Sequence, residues 1–306
     1  MNQTVKSRER SRRIFLQRAA LAAAAALTGV GRAPGRTGQE ESPVSEDETI
    51  FRTVMAGAER KNLRSKPVGE AMAALGRAFL GTPYVAHTLE EEGEEHLVVN
   101  LRGLDCTTFM ENTLVLARCL RLNAATFEEY RKQLTFVRYR GGTIDGYPSR
   151  LHYFTDWVHD NERKGVVRDV TAALGGERSD RRVNFMSTHP GSYRQLANAE
   201  YLSAIREVEE AMNQRGFFVV PSRRVVDILP ELVDGDILGT ATTIAGMDVS
   251  HTGIVVREGG IPRFLHAPLS GGAVWMADGS VADYISSHKQ MTGIVIARPL
   301  DPAPGP

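Results

Sequence analysis

The chain has 306 residues, 37 Lys+Arg against 37 Asp+Glu, 42% apolar and 24% charged. That composition belongs to a folded globular protein and is too apolar for a disordered one, and a net charge of zero gives no electrostatic case for nucleic-acid binding. The zero adds unequal parts: residues 1–36 hold eight Lys/Arg and one acid, which leaves 29 basic and 36 acidic residues, a net of −7, for the remainder.

The basic start runs through Ser11-Arg12-Arg13-Ile14-Phe15-Leu16 into an alanine-rich apolar run from Ala19 to Val30. That run is shorter than the roughly 20 residues a membrane span needs. A charged stretch before a short apolar one is the pattern of a removed secretory signal, and the junction resembles the twin-arginine export signal of bacteria. Residues 1–36 are therefore expected to be a twin-arginine-type signal peptide and 37–47 a solvated linker. The mature protein is expected to be acidic, exported to the periplasm, and without a stable membrane anchor.

Ser45 with Glu48 makes a capping-box pattern, and Ile50, Phe51, Val54 and Met55 follow at helical spacing. Pro67 suits the first turn of a second helix with Ala71, Met72, Leu75 and Phe79 inward, closed by Gly81. Residues 84–89 and 96–102 read as short strands around an acidic tip. Helices are expected over about 105–120, after Thr126, over 149–161 and over 200–214. Short β-type runs then fall at 217–220, 235–240, 251–257, 262–268, 273–277 and 292–298, separated by Gly, Pro and Asp. Helices that lead and an antiparallel sheet that closes the chain make the fold class α+β.

Only two cysteines occur, Cys106 and Cys119. On one helix, 13 residues apart, they stand about 20 Å apart along the axis, beyond the roughly 7 Å a disulfide spans between Cα atoms. Cys119, among Leu116, Ala117 and Leu120, reads as a small buried hydrophobe. Asp105 is a good N-cap, which puts Cys106 at the first helical position, where free amides and the macrodipole favour a thiolate. The local sequence alone leaves Cys106 open between a reactive thiol and a buried structural one.

A cysteine nucleophile needs a base, and the base needs an orienting group. Of eight histidines, His87, His96, His189 and His288 read as loop or surface residues. His152 and His159 share a helix with Tyr153 and Trp157, a face suited to either core or groove, without metal-binding spacing. His251 and His266 flank the Glu258-Gly259-Gly260 turn of a hairpin and come close to register, within reach of one another across the strands. Two polar residues sharing one sheet face is the plainer alternative.

In order, the chain gives Gly81-Thr82-Pro83-Tyr84, Leu104-Asp105-Cys106-Thr107-Thr108-Phe109, Asp234-Gly235-Asp236-Ile237, Ser250-His251-Thr252-Gly253-Ile254 and Phe264-Leu265-His266-Ala267. This set resembles the NlpC-like branch of papain-like cysteine hydrolases, which cut bacterial cell-wall peptides. Residues 149–157 and 184–187 look like the N-acetylmuramoyl-L-alanine amidase-like subfamily. Thr107-Thr108 departs from the commoner Ser-Gly after the cysteine, and a long insertion separates the cysteine helix from the sheet.

The resemblance implies a papain-like fold, N-terminal helices with the nucleophile at a helix start against a C-terminal antiparallel sheet or half-barrel. It implies one domain over 48–300 with a helical insertion at about 121–215. Cys106 is then the nucleophile, His251 its base and His266 the orienting group. Tyr84, Asp105, His152 and Trp157 are the candidates for oxyanion and substrate contacts. No cofactor or metal is implied, and the partner is peptidoglycan or its muropeptide fragments, with no nucleic acid. The bond between the muramic acid lactyl group and L-Ala is the first expectation for cleavage. A γ-D-glutamyl stem-peptide bond, transfer of the acyl group to an amine, and non-catalytic wall binding are the alternatives. An unperturbed His251 predicts activity that falls as pH drops through about 6.5.

Overall fold

The computed structural model describes residues 44–124 and 126–303. The expected signal peptide and the linker up to residue 43 lie outside the described residues. In chain order the elements are α1 (Glu46–Arg60), α2 (Val68–Ala78), α3 (Cys106–Leu122), α4 (Phe127–Arg138), α5 (Phe154–Arg163), β1 (Val167–Asp169) and β2 (Glu177–Arg178). Then follow α6 (Phe185–Thr188), α7 (Ala199–Arg215), β3 (Phe218–Pro221), β4 (Ile237–Thr242), β5 (Val249–Glu258), β6 (Ile261–His266), β7 (Trp275–Met276), α8 (Val281–Ser286) and β8 (Met291–Pro299). The class is α+β, as the sequence predicts.

Local chemistry sets the helix starts. The Asp105 carboxylate accepts from the Thr108 amide at 2.7 Å, and the Thr108 hydroxyl accepts from the Asp105 amide at 2.9 Å, so α3 begins at Cys106. Thr126 and Glu129 make the same reciprocal cap on α4. From Thr108 to Leu120 every residue of α3 is buried. A helix buried all round must be enclosed by other elements; α2, α4 and β5 pack against it.

The sheet runs β2-β3-β8-β4-β5-β6-β7, with β1 also on β8, and every pairing is antiparallel. It is open, ending at β2 and β7. Because side chains alternate between faces, β4, β5, β6 and β8 feed two cores. Ile237, Ile254, Leu265 and Val295 face the helices around α3. Leu238, Val255, Phe264 and Ile296 meet Val281 and Ile285 of α8. Covering both faces makes these strands nearly continuous in apolar residues.

Two expectations are corrected. Residues 84–89 and 96–102 do not form strands; Tyr84 makes a single parallel bridge to Leu104. Their carbonyls go to guanidinium groups instead. Arg138 donates to Val98 O at 2.6 Å and Arg150 to Leu89 O at 2.7 Å. The helix expected from 149 starts at Phe154, because Tyr147–Ser149, with Pro148, forms a separate 3₁₀ turn.

Arg138 also binds Glu111 at 2.7 Å, both side chains 2% exposed. A buried pair of this kind is expensive to break singly and cheap to replace whole. Arg138→Met is expected to cost about 3–5 kcal/mol in urea unfolding, and adding Glu111→Leu to recover most of it. A single variant with unchanged midpoint would refute this assignment.

Candidate active site

Cys106 stands on the first turn of α3, where its amide has no intrahelical acceptor. The segment Pro83–Val85 runs beside Leu104, immediately before it. Val85 donates to Leu104 O at 3.2 Å, Leu104 to Pro83 O at 2.9 Å, and Tyr84 to Gly272 O at 2.9 Å. This approach requires a glycine at 103, since a Cβ there would lie 2.4 Å from Val85 Cγ2. The half-buried Tyr84 phenol has its pKa raised by burial, then by the neighbouring Cys106 and Asp105.

On β5, His251 Nε2 meets His266 Nδ1 of β6 at 2.6 Å. The register places Gly253, not His251, opposite His266. The imidazoles are therefore diagonal neighbours, a separation long side chains can bridge. The two-residue Gly259-Gly260 turn, with φ of 58° and 85°, fixes that register. Gly253 lies between them: a Cβ there would come within 2.8 Å of His266 Cβ and 2.7 Å of Phe264. Phe264 stacks on His266 at 4.8 Å, and Tyr284 of α8 closes its edge at 4.9 Å. His266 is 2% exposed.

Cys106 and His251 both line one cleft of about 200 Å³. Its floor is Thr107, Met110 and the strand start Met247–Thr252. One wall is Leu151–Phe154 with Trp157, the other Phe185, Met186 and Tyr193. The β4–β5 ladder shifts between Thr240 and Ala241, skipping Ser250. Asp248, 2% exposed, ties strand to wall: its carboxylate accepts from the Thr155 amide at 2.8 Å and hydroxyl at 2.9 Å.

Of the seven residues singled out from sequence, Cys106, His251, His152 and Trp157 line this cleft, and His266 supports it from behind. Tyr84 and Asp105 stand beside Cys106 but are not among the cleft's described lining. The Asp105 carboxylate is engaged by Thr108. His152 is held by Tyr147 O at 2.9 Å. Trp157 is 1% exposed and stacks on Phe154, so it serves core and cleft together. Sequence reading missed Phe185, Met186, Met247, Asp248, Thr252 and Tyr284. Among these Thr252, next to His251, and Phe185 and Met186, within the 184–187 motif, carried a local signal. Among the described residues no cluster of His, Cys, Asp and Glu is arranged to hold a metal ion.

The electrostatics reverse one expectation. Burial, then the Asp105 carboxylate, push the Cys106 thiol up, and Thr252 and Thr107 oppose the rise. Partial burial of the sulfur outweighs the favourable helix start. Burial, then His288, lower His251 to about 4. Burial lowers His152 to about 3, with Arg150 adding to it. His266 is driven down by burial, then by His251 and His288. The resting site thus holds a neutral thiol beside a neutral imidazole. Cys119 is free, buried and pushed up to about 12 by burial.

Comparison with known proteins gives the family. The model of the AmiA-like, N-acetylmuramoyl-L-alanine amidase-like family matches residues 74–294. A crystal structure of an N-acetylmuramoyl-L-alanine amidase from Bacteroides uniformis is similar at 34% identity and TM-score 0.72, over 76% of this chain and 99% of that one. A Bacteroides fragilis protein described as a candidate xylanase is similar at 36% identity and TM-score 0.69, over 73% and 98%. A Legionella pneumophila protein at 17% identity and TM-score 0.64 shares the fold. No curated protein matches. The family match covers well over half of the chain and the Bacteroides uniformis protein aligns along almost its whole length, so the chain belongs to the N-acetylmuramoyl-L-alanine amidase-like family.

Proposed function

We propose that the protein is a papain-like, NlpC-type cysteine amidase that hydrolyses the bond between the muramic acid lactyl group and L-Ala in peptidoglycan. The observation that carries this reading is the shared cleft of Cys106 and His251, with His266 hydrogen-bonded behind. Because His266 occupies His251 Nε2, Nδ1 is the nitrogen left to serve the sulfur. The Cys106 proton passes to Nδ1 as Sγ adds to the carbonyl carbon. The C–N bond then breaks, the amine leaves with that proton, and water releases the acyl group. His266 orients the ring. The Cys106 amide and the Tyr84 phenol are the oxyanion donors. His152 and Trp157 contact the substrate, and Asp105 acts by fixing the helix start. No cofactor enters these steps. The export leader of residues 1–36 delivers a single domain, residues 48–300, to the periplasm, where its substrate lies. Among the described residues no helix is long and apolar enough to cross a membrane.

The xylanase description of one relative suggests glycoside cleavage. Most glycosidases need two carboxylates flanking the bond. The described lining of this cleft has one, Asp248, and it is held by Thr155. Amide chemistry fits better.

Mass analysis of a defined disaccharide-peptide separates the cleavage sites. Free disaccharide plus intact peptide is expected. A disaccharide-dipeptide would instead identify a γ-D-glutamyl endopeptidase. Cys106→Ala is expected to lower turnover on the order of a thousandfold or more; unaltered turnover, or no cleavage by the wild type, would sink the proposal.

A second test is pH. His251 must be neutral to accept a proton, so activity is lost as pH falls through its folded value. Burial moves that limb from the 6.5 expected of a free histidine to about 4. kcat/KM is expected to hold level between pH 5 and 7; an acid limb at 6.5 in folded protein would exclude a buried His251 as base. Stability behaves differently. His152, His251 and His266 have folded values below the unfolded 6.5, so the unfolded chain binds more protons below that pH. Thermal midpoints should be fully established above pH 6.5 and decline progressively below it.

A further inference from the structure

Thr252 follows the base on β5 and lines the same cleft as Cys106. It is 4% exposed, and its hydroxyl oxygen has no hydrogen bond of ordinary geometry among the described residues. A buried hydroxyl without a partner is destabilising, and valine would fill the same space in a strand without that cost. Thr240 and Thr88 carry such hydroxyls too, but of the three only Thr252 lines the cleft with Cys106, where a partner can arise during reaction. Gly239, opposite Thr252 on β4, offers no side chain to it. The β5–β6 ladder begins at Gly253 and His266, so the Thr252 amide lies just past the last pair. Thr252 lines the cleft beside Cys106, and its donor groups counter the rise of the Cys106 thiol.

We propose that Thr252 is a catalytic donor to the sulfur: its hydroxyl, buried in the cleft without a partner at hydrogen-bond geometry, hydrogen-bonds Cys106 Sγ fully once that atom has lost its proton to His251. This rests on the reading of Cys106 as nucleophile. The thiol S–H bond breaks, the proton goes to His251 Nδ1, and the Thr252 O–H bond stays intact while it donates. A neutral thiol is a weak acceptor and a thiolate a strong one, so the bond strengthens only along the reaction coordinate. Such a donor offsets the penalty that burial puts on the thiolate. Burial and the Asp105 carboxylate both disfavour the thiolate, and Thr252 opposes them with two donors where Thr107 has a hydroxyl 4.0 Å from the sulfur.

The test measures the thiol directly. The rate of Cys106 alkylation by iodoacetamide is followed against pH, with the labelled peptide identified by mass because Cys119 is also free. Thr252→Val is expected to slow alkylation at neutral pH about tenfold and to move its pH midpoint upward. Its thermal midpoint should equal or exceed the wild type's, since an unpaired buried hydroxyl has been removed. Thr252→Ser should return most of the reactivity. An unshifted alkylation profile in a folded Thr252→Val protein would overturn the proposal, including where muropeptide turnover falls, since the hydroxyl would then serve the oxyanion. A shifted profile with no muropeptide cleavage by wild type would uphold the thiolate contact and refute the hydrolase reading alone.

Discussion

The cap that Asp105 places on α3 fixes the position of nearly everything else. It decides which residue opens the most deeply buried helix of the fold, and so where Cys106 sits relative to the sheet. Thr108 completes the cap from inside the helix. The same carboxylate that sets this geometry is a negative charge beside the sulfur and disfavours a second one there. Structure and chemistry therefore pull Asp105 in opposite directions, and the fold resolves this by engaging both the carboxylate and the amide of Asp105 with Thr108.

Burial of the reacting groups is the second consequence. A thiolate–imidazolium pair exposed to water would bring the thiol down and the imidazole up. Here burial moves each the other way. In the proposed reaction, charge separation then belongs to the attack itself, and it is stabilised by groups already aimed at the sulfur and the nascent oxyanion. Preorganised donors of this kind are most effective where water is excluded, because no solvent must reorganise around the new charge. The His266 ring contributes through placement. Phe264 and Tyr284 pin it, and Gly253 leaves room for His251 to reach it.

Much of this was legible in the sequence, for identifiable reasons. The capping box at Thr126 acts over three residues, and strand alternation acts over two, so both are written locally. The motif order around Cys106, His251 and His266 is likewise local. What failed was long-range. The strands expected at 84–89 and 96–102 were displaced by Arg138 and Arg150, which lie 40 or more residues away in the chain. The His251–His266 pairing was expected near register but is diagonal, because a glycine occupies the position directly opposite. The sign of the Cys106 shift depends on how much protein surrounds the sulfur, which spacing cannot reveal. Phe185, Met186 and Met247 reach the cleft only through tertiary packing.

The stretch of about 121–215, between α3 and β3, contributes strands β1 and β2 to the sheet and supplies both walls of the cleft. A wall carried on an insertion serves a reaction only if it is held in register with the catalytic strand. Asp248 provides that hold. It lies three residues before His251, and it binds the amide and hydroxyl of Thr155 in the first turn of α5. Its buried carboxylate has no cation among the partners described. Burial raises its pKa, and donors at a helix start, where exposed amides and the macrodipole favour negative charge, oppose the rise. At the far end of the same wall, Asp156 takes Arg140 at 2.7 Å and Arg215 at 3.3 Å, which joins α5 to the end of α4 and to α7. Two adjacent residues, Thr155 and Asp156, thus anchor α5 to different parts of the fold, one to the segment leading into β5 and the other to Arg140 and α7.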